Sequence, residues 1–207
     1  MTKMELFSIV ISIVIAYLLG SVNTAIIISA LSGKDIRKEG SGNAGATNTL
    51  RVMGKKAAAC VAIFDGLKGV IAILIAKLVC YIAKVDSSNA VWLSALFVML
   101  GHIYPLYFGF KGGKGIMTTI AVVFVLDWRM GLIIFTVCIA IMLITRYVSL
   151  GSCIGAVMFP SLTAVFYWGN TVFIIVSVII GALALIKHRS NIKRLVNGTE
   201  SKLNFKK

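Results

Sequence analysis

The chain has 207 residues, 59% hydrophobic and 14% charged, with a mean hydropathy of +0.97. An average soluble chain is about 45–50% apolar and about 25% charged, so a soluble globular domain and a disordered segment are both excluded, and lipid must solvate most of the surface. The formal charge of +14 comes from 21 Lys and Arg against 7 Asp and Glu; in a soluble chain it would suggest nucleic acid, but in a membrane chain topology accounts for it.

In chain order, the first apolar run, about 5–31, starts with both Lys3 and Glu5 and has no early small-residue cleavage site, so it reads as a retained span. The longest polar stretch follows, at 32–56. It contains Gly40-Ser41-Gly42-Asn43-Ala44-Gly45-Ala46-Thr47-Asn48-Thr49-Leu50-Arg51. Glycines and small residues let the backbone bend and expose N–H groups, and Arg51 offers a planar donor fork suited to phosphate. A phosphate site is the reading we prefer; the alternative is a flexible interfacial loop.

The second span, about 57–83, carries Asp65 and Lys68 three residues apart on one face. Ionisable residues in a span suggest function by default, but we prefer a structural ion pair that steadies the loop above it. The third span, about 90–108, holds His102 near its end, either as a satisfied helix-end histidine or as part of the adjoining site. Lys111-Gly112-Gly113-Lys114-Gly115 comes next. Bare N–H groups, a helix start and a lysine point charge make it a phosphate cradle, although the Walker A spacing and hydroxyl are missing. The competing reading is a basic loop whose glycines serve close packing.

Further apolar segments run about 115–127, 130–146, 148–168 and 170–187. The first two are split at Asp127-Trp128-Arg129, since two charges inside one continuous helix would be stranded in hydrocarbon; a single long span there would give five or six crossings instead of seven. The tail reads His188-Arg189-Ser190-Asn191-Ile192-Lys193-Arg194, then Gly198-Thr199-Glu200. A basic tail is what topology and anionic headgroups select unaided; His188 and Glu200 are what topology leaves unexplained. The expected fold is all-α, a polytopic membrane helix bundle of about seven spans forming one domain over 1–207. On that map one side collects sixteen Lys and Arg, Lys206 and Lys207 among them, and the other only Lys3, Lys84 and Arg129, with Lys68 and Lys77 inside spans. The bias puts the N-terminus outside and the C-terminus in the cytoplasm. The four cysteines, Cys60, Cys80, Cys138 and Cys153, lie far apart in apolar runs, and no Cys/His pair has metal-ligand spacing.

Taken together, GSGNAGATNTLR, GHIYPLYFGFKGGKG and HRSNIKRLVNGTE, with Asp35-Ile-Arg37 and Asp65-x-x-Lys68-Gly69, resemble the bacterial acyl-phosphate:glycerol-3-phosphate acyltransferase family, PlsY. The resemblance implies transfer of a fatty acyl group from acyl phosphate to the 1-hydroxyl of glycerol 3-phosphate, giving lysophosphatidate and phosphate. The work would be done at the cytoplasmic face of a bacterial plasma membrane, without cofactor, metal or nucleic acid. It implies Ser41, Asn43, His188 and Asn191 as catalytic, and Arg51, Lys114, Gly112, Gly113, Gly115, Asn48, His102 and Glu200 as phosphate-binding. Two departures stand out. Asn23 replaces the family's usual proline, which is expected to straighten the first helix, and Ile116-Met117-Thr118 replaces Val-Ala-Thr. A transporter for a phosphorylated solute is the main rival, but the polar motifs crowd one face and no internal repeat appears. A nucleic-acid-binding anchor rests on charge alone.

Overall fold

Without water in the hydrocarbon, each segment must satisfy its own backbone, and every apolar run is accordingly helical. The computed structural model describes residues 1–203, so Lys206 and Lys207 lie outside the described residues. Among the described residues there are ten α-helices and no strand. They are α1 (Lys3–Ser21), α2 (Thr24–Leu31), α3 (Ala46–Met53), α4 (Lys55–Ala83), α5 (Ser88–Ile103), α6 (Ile116–Leu126), α7 (Trp128–Thr145), α8 (Val148–Phe166), α9 (Thr171–Lys187) and α10 (Arg189–Val196).

All seven expected segments are helical. Five stretches are long and apolar enough to cross a membrane: Lys3–Leu31, Lys55–Ala83, Ser88–Phe108, Trp128–Thr145 and Val148–Phe166; the pair α9 and α10, bent by 59°, makes a sixth if counted as one span. With 11 residues, α6 rises only about 16 Å, half the hydrocarbon thickness of about 30 Å. The expected break between α6 and α7 is present. Asp127 is extended (φ −153°, ψ 107°) and caps α7 by accepting from the Arg129 N–H at 2.9 Å.

The chain divides into two contact units, Met1–Val125 and the residues from Leu126 onward. In the first, α1 and α5 approach closely enough that a Cβ on Gly101 would collide with the backbone of Tyr17 and Ser21, and one on Gly20 with that of Val98. Small residues at helix crossings are how membrane helices gain packing where no hydrophobic drive separates them from lipid. A small apolar cluster of Ala25, Ile26, Ile36, Ala44 and Val61 underlies the polar loop.

The straightening expected of Asn23 does not occur. The Asn23 side chain accepts from the Ile26 N–H at 3.1 Å, so α1 ends at Ser21 and a new helix starts at Thr24. Asparagine at an N-cap makes its own helix start, as a proline would by other means.

In the second unit, α8 packs on α7 through Gly151, whose Cβ would press on the Cys138 carbonyl, and on α9 through Gly181, whose Cβ would collide with the Ala156 carbonyl. Phe173 stacks edge-on with Phe159 and Tyr167.

Candidate functional site

In the first unit the buried ionisable side chains Asp65, Lys68 and His102 meet where the α1–α2 break, α4 and the end of α5 come together. Lys68 is 2.9 Å from Asp65 Oδ1, and both side chains are almost wholly buried. The preferred ion pair is therefore formed, but it is larger than expected. The Lys68 ammonium also donates to the Val22 carbonyl at 2.8 Å and lies 2.9 Å from His102 Nδ1. Thr24 donates to Asp65 Oδ1 at 3.3 Å, and Thr118 to the Asp65 carbonyl at 2.8 Å. His102 is 3% exposed, set among protein groups where a phosphate contact was expected.

The Gly112–Gly115 loop differs from the expected cradle. The Gly112 N–H donates to the Ile103 carbonyl at 3.2 Å and the Gly113 N–H to the His102 carbonyl at 3.1 Å. These two amides are not bare donors, because the last carbonyls of α5 lack intrahelical partners and the returning loop supplies them. Space explains the glycines themselves. A Cβ on Gly112 would strike the His102 carbonyl, and one on Gly113 would strike His102 Nε2 and the Ala44 carbonyl. Close packing is thus the reading the geometry supports at 112 and 113. Gly115 has φ +79° and its carbonyl accepts from Thr119 N–H at 2.8 Å, so α6 begins right after Gly115, two residues past the half-buried Lys114.

In the 40–51 stretch, Asn48, expected among the phosphate-binding residues, ties the loop together. Its amide donates to the carbonyls of Ile36 (3.1 Å) and Glu39 (2.9 Å), and its oxygen accepts from the Ser41 N–H at 2.8 Å. Both amide hydrogens are committed, so none remains for a ligand. Ser41 is exposed, Asn43 half-buried, and Arg51 projects exposed from the last turn of α3. Arg37 fastens this stretch to the other loop, donating to both Asp35 oxygens and, at 3.1 Å, to the Phe108 carbonyl. Those guanidinium bonds hold the Asp35 carboxyl below its ordinary value.

The second unit has a separate polar cluster. Glu200 is buried and accepts from Ser149 Oγ (2.8 Å), Asn191 Nδ2 (2.7 Å) and Arg194 Nε (2.6 Å). Burial alone would raise its carboxyl, but the bonds from Asn191, Arg194 and Ser149 outweigh burial and hold it below the usual range. Glu200, expected among the phosphate-binding residues, is a carboxylate that holds Asn191 and Arg194. His188 sits at the bend between α9 and α10, 3% exposed, with Nδ1 2.8 Å from the Ala184 carbonyl. A carbonyl only accepts, so that bond assigns the hydrogen to Nδ1 and leaves the lone pair of the neutral ring on Nε2. At the other end of this unit Asp127 binds the Arg129 guanidinium and accepts from Tyr167; the Arg129 bond is the main reason its carboxyl is lowered to about 2.

Sequence reasoning found the two loops, the Asp65–Lys68 pair and the C-terminal motif. It missed the joining of His102 to Lys68, and the use of the loop amides and of Asn48. One signal was available for the amides: α5 runs into Tyr104-Pro105, and a proline without N–H cannot supply a donor to the helix end.

A family profile described as glycerol-3-phosphate acyltransferase matches residues 10–198. The chain belongs to the glycerol-3-phosphate acyltransferase family. It is 46% identical over 198 residues to the glycerol-3-phosphate acyltransferase of Thermoanaerobacter pseudethanolicus, covering 95% of this chain and 96% of that one. It is 41% identical over 205 residues to that of Clostridioides difficile, covering 99% and 100%. Two crystal structures of PlsY (YgiH), an integral membrane glycerol 3-phosphate acyltransferase, share the fold. The glycerol 3-phosphate form matches with a TM-score of 0.87 at 40% identity, and the lysophosphatidic acid form with 0.82 at 39%, each covering 95% of this chain and 96% of the other. The all-helical membrane fold is therefore that of an acyltransferase family, and the matched span, 10–198, takes in most of both units.

Proposed function

We propose that the whole chain, residues 1–207, is an acyltransferase that moves a fatty acyl group from acyl phosphate to the 1-hydroxyl of glycerol 3-phosphate. The observation that carries the reading is the full-length match to relatives of that name, 46% identical over 95% of the chain. The crystal structures in the glycerol 3-phosphate and lysophosphatidic acid forms support the same acceptor and product. The choice of donor rests on chemistry. An acyl phosphate is an activated anhydride, so the protein need only hold two phosphates, aim the hydroxyl at the carbonyl and stabilise developing charge.

In this scheme the 1-hydroxyl oxygen bonds to the acyl carbonyl carbon and the bond from that carbon to the phosphate oxygen breaks. The hydroxyl proton leaves on the departing phosphate, whose oxygens are necessarily close to the reacting centre. Arg51 acts as a fork and Lys114 as a point charge on phosphate. Ser41 and Asn43 serve the same anions, Gly115 opens the start of α6 beside Lys114, and His188 and Asn191 orient glycerol 3-phosphate. Asn48, His102 and Glu200 act through the groups they hold, as do Gly112 and Gly113. We place the polar stretches on the cytoplasmic face of a bacterial plasma membrane, following the sixteen-to-three charge bias of the sequence.

Purified protein offered acyl phosphate, acyl-CoA and acyl carrier protein separately tests the donor. Turnover is expected with acyl phosphate alone; comparable rates with acyl-CoA would refute the assignment.

A further inference from the structure

The Lys68 ammonium has three hydrogens and three acceptors, each on a different element. Asp65 Oδ1 lies on its own helix at 2.9 Å, the Val22 carbonyl at the α1–α2 break at 2.8 Å, and His102 Nδ1 near the end of α5 at 2.9 Å. Neutralising Asp65 would need only the first contact. The second exists because Asn23 takes the Ile26 N–H that would otherwise continue α1, leaving the Val22 carbonyl without its helical donor. The third has a chemical consequence. An ammonium can only donate, so Nδ1 must present its lone pair, and the hydrogen of the neutral ring sits on Nε2.

The Nε2 edge faces the junction of the two loops, since a Cβ added to Gly113 would meet both Nε2 and the Ala44 carbonyl. The same carbonyl is approached by Asn23 Nδ2 at 3.5 Å, and the His102 backbone carbonyl accepts the Gly113 N–H at 3.1 Å. Gly113 precedes Lys114 and Ala44 follows Asn43. One imidazole, gripped from below by Lys68, thus lies where the two loops touch.

We propose that Lys68 is a positioning residue for acyl transfer: it fixes His102 as the Nε2–H tautomer and so holds the loops at Ala44 and Gly113 in register for the groups that bind phosphate. The proposal rests on the functional reading of those loops. Lys68 touches no substrate in this scheme and acts only through His102 and the Val22 carbonyl.

The test uses full-length protein in nanodiscs with ¹⁵N-labelled histidine. There are two histidines, and the His102 signals are assigned by their loss in His102→Gln. Wild-type His102 is expected to show a protonated Nε2 and an unprotonated Nδ1; a proton on Nδ1 overturns the proposal. The Asp65→Leu/Lys68→Met double variant removes both charges together, an exchange that buried ion pairs often tolerate. It is expected to keep its melting temperature, lose the single tautomer, and fall by about ten- to a hundredfold in kcat/KM, the cost typical of a small misplacement. A folded double variant with wild-type kinetics, or with the His102 tautomer unchanged, overturns it. The wild-type spectrum decides the tautomer even if the double variant does not fold. It needs no turnover, so the donor assignment and this one fail separately.

Discussion

Asn48 gives the sharpest separation between a residue that binds substrate and one that builds the loop. Its side chain makes three bonds of 2.8–3.1 Å to backbone groups of Ile36, Glu39 and Ser41, and it is 1% exposed. Each such bond contributes about 1 kcal/mol net, so Asn48→Ala should destabilise the protein by about 3 kcal/mol. That corresponds to a fall in melting temperature of roughly 6–12 °C for a chain of this size. Asn48→Asp keeps the acceptor for Ser41 but turns both donors into acceptors facing the Ile36 and Glu39 carbonyls, so it should cost at least as much. The assay is thermal unfolding in detergent beside steady-state kinetics well below the new midpoint. Stability should fall in both variants while KM for glycerol 3-phosphate changes by less than about threefold, a difference under 1 kcal/mol. A variant that melts like wild type while KM rises tenfold or more would refute the reasoning and return Asn48 to the phosphate.

Gly101→Ala should destabilise by about 1–3 kcal/mol through overpacking against the α1 backbone, whereas Gly66→Ala, whose Cβ would stand 3.5 Å from that of Ala121, should be neutral or slightly stabilising; their melting temperatures give the comparison. Lys114→Ala should cut turnover severely, and Arg51→Lys should fail to restore what Arg51→Ala loses, since an ammonium cannot copy the fork; wild-type kinetics in either alanine variant would count against the phosphate assignment. Because the Glu200 carboxyl is held below its ordinary value, it contributes stability that is present above pH about 4.3 and lost as the pH falls below it; the acid limb of a pH–stability curve should flatten in Glu200→Gln. Single cysteines at Lys56, Lys111 and Lys202 in a cysteine-free background should resist an impermeant thiol reagent in whole cells, and ready labelling of any of them would reverse the topology.

What could be read beforehand was what composition and spacing determine directly. The lipid solvent, the helical segments and the break at Asp127 each follow from a local cost: unsatisfied backbone, or charge in hydrocarbon. The Asp65–Lys68 pair followed from helical periodicity. What could not be read depends on which donors meet which acceptors after folding. A glycine N–H satisfies a ligand oxygen and a helix-terminal carbonyl equally well, and Gly112 and Gly113 serve the carbonyls of Ile103 and His102. Likewise Asn48 and Glu200 stand in motifs that look like binding sites, because the side chains that bind ligands are also those that tie loops together. Their distinguishing mark is saturation: two amide hydrogens used at Asn48, and donors from Ser149, Asn191 and Arg194 on Glu200.

Asn23 shows why a residue must be weighed by its physical action rather than by its departure from a pattern. Proline ends a helix by lacking an N–H and by excluding the preceding carbonyl from regular bonding. Asparagine has neither property, which is why the first helix is expected to run straight. Yet its side-chain oxygen takes the Ile26 N–H at 3.1 Å, so the helical donor to the Val22 carbonyl is removed from the other direction. The released carbonyl then becomes the acceptor that Lys68 uses, and the Asn23 amide, unlike a proline ring, extends to the Ala44 carbonyl at 3.5 Å. The substitution therefore keeps the break and adds a link from it to the first loop. Asn23→Pro loses that link but should keep the helix break and the Lys68 contact, so its activity loss should be smaller than that of Asn23→Ala, which lets α1 and α2 merge and withdraws the Val22 carbonyl from Lys68.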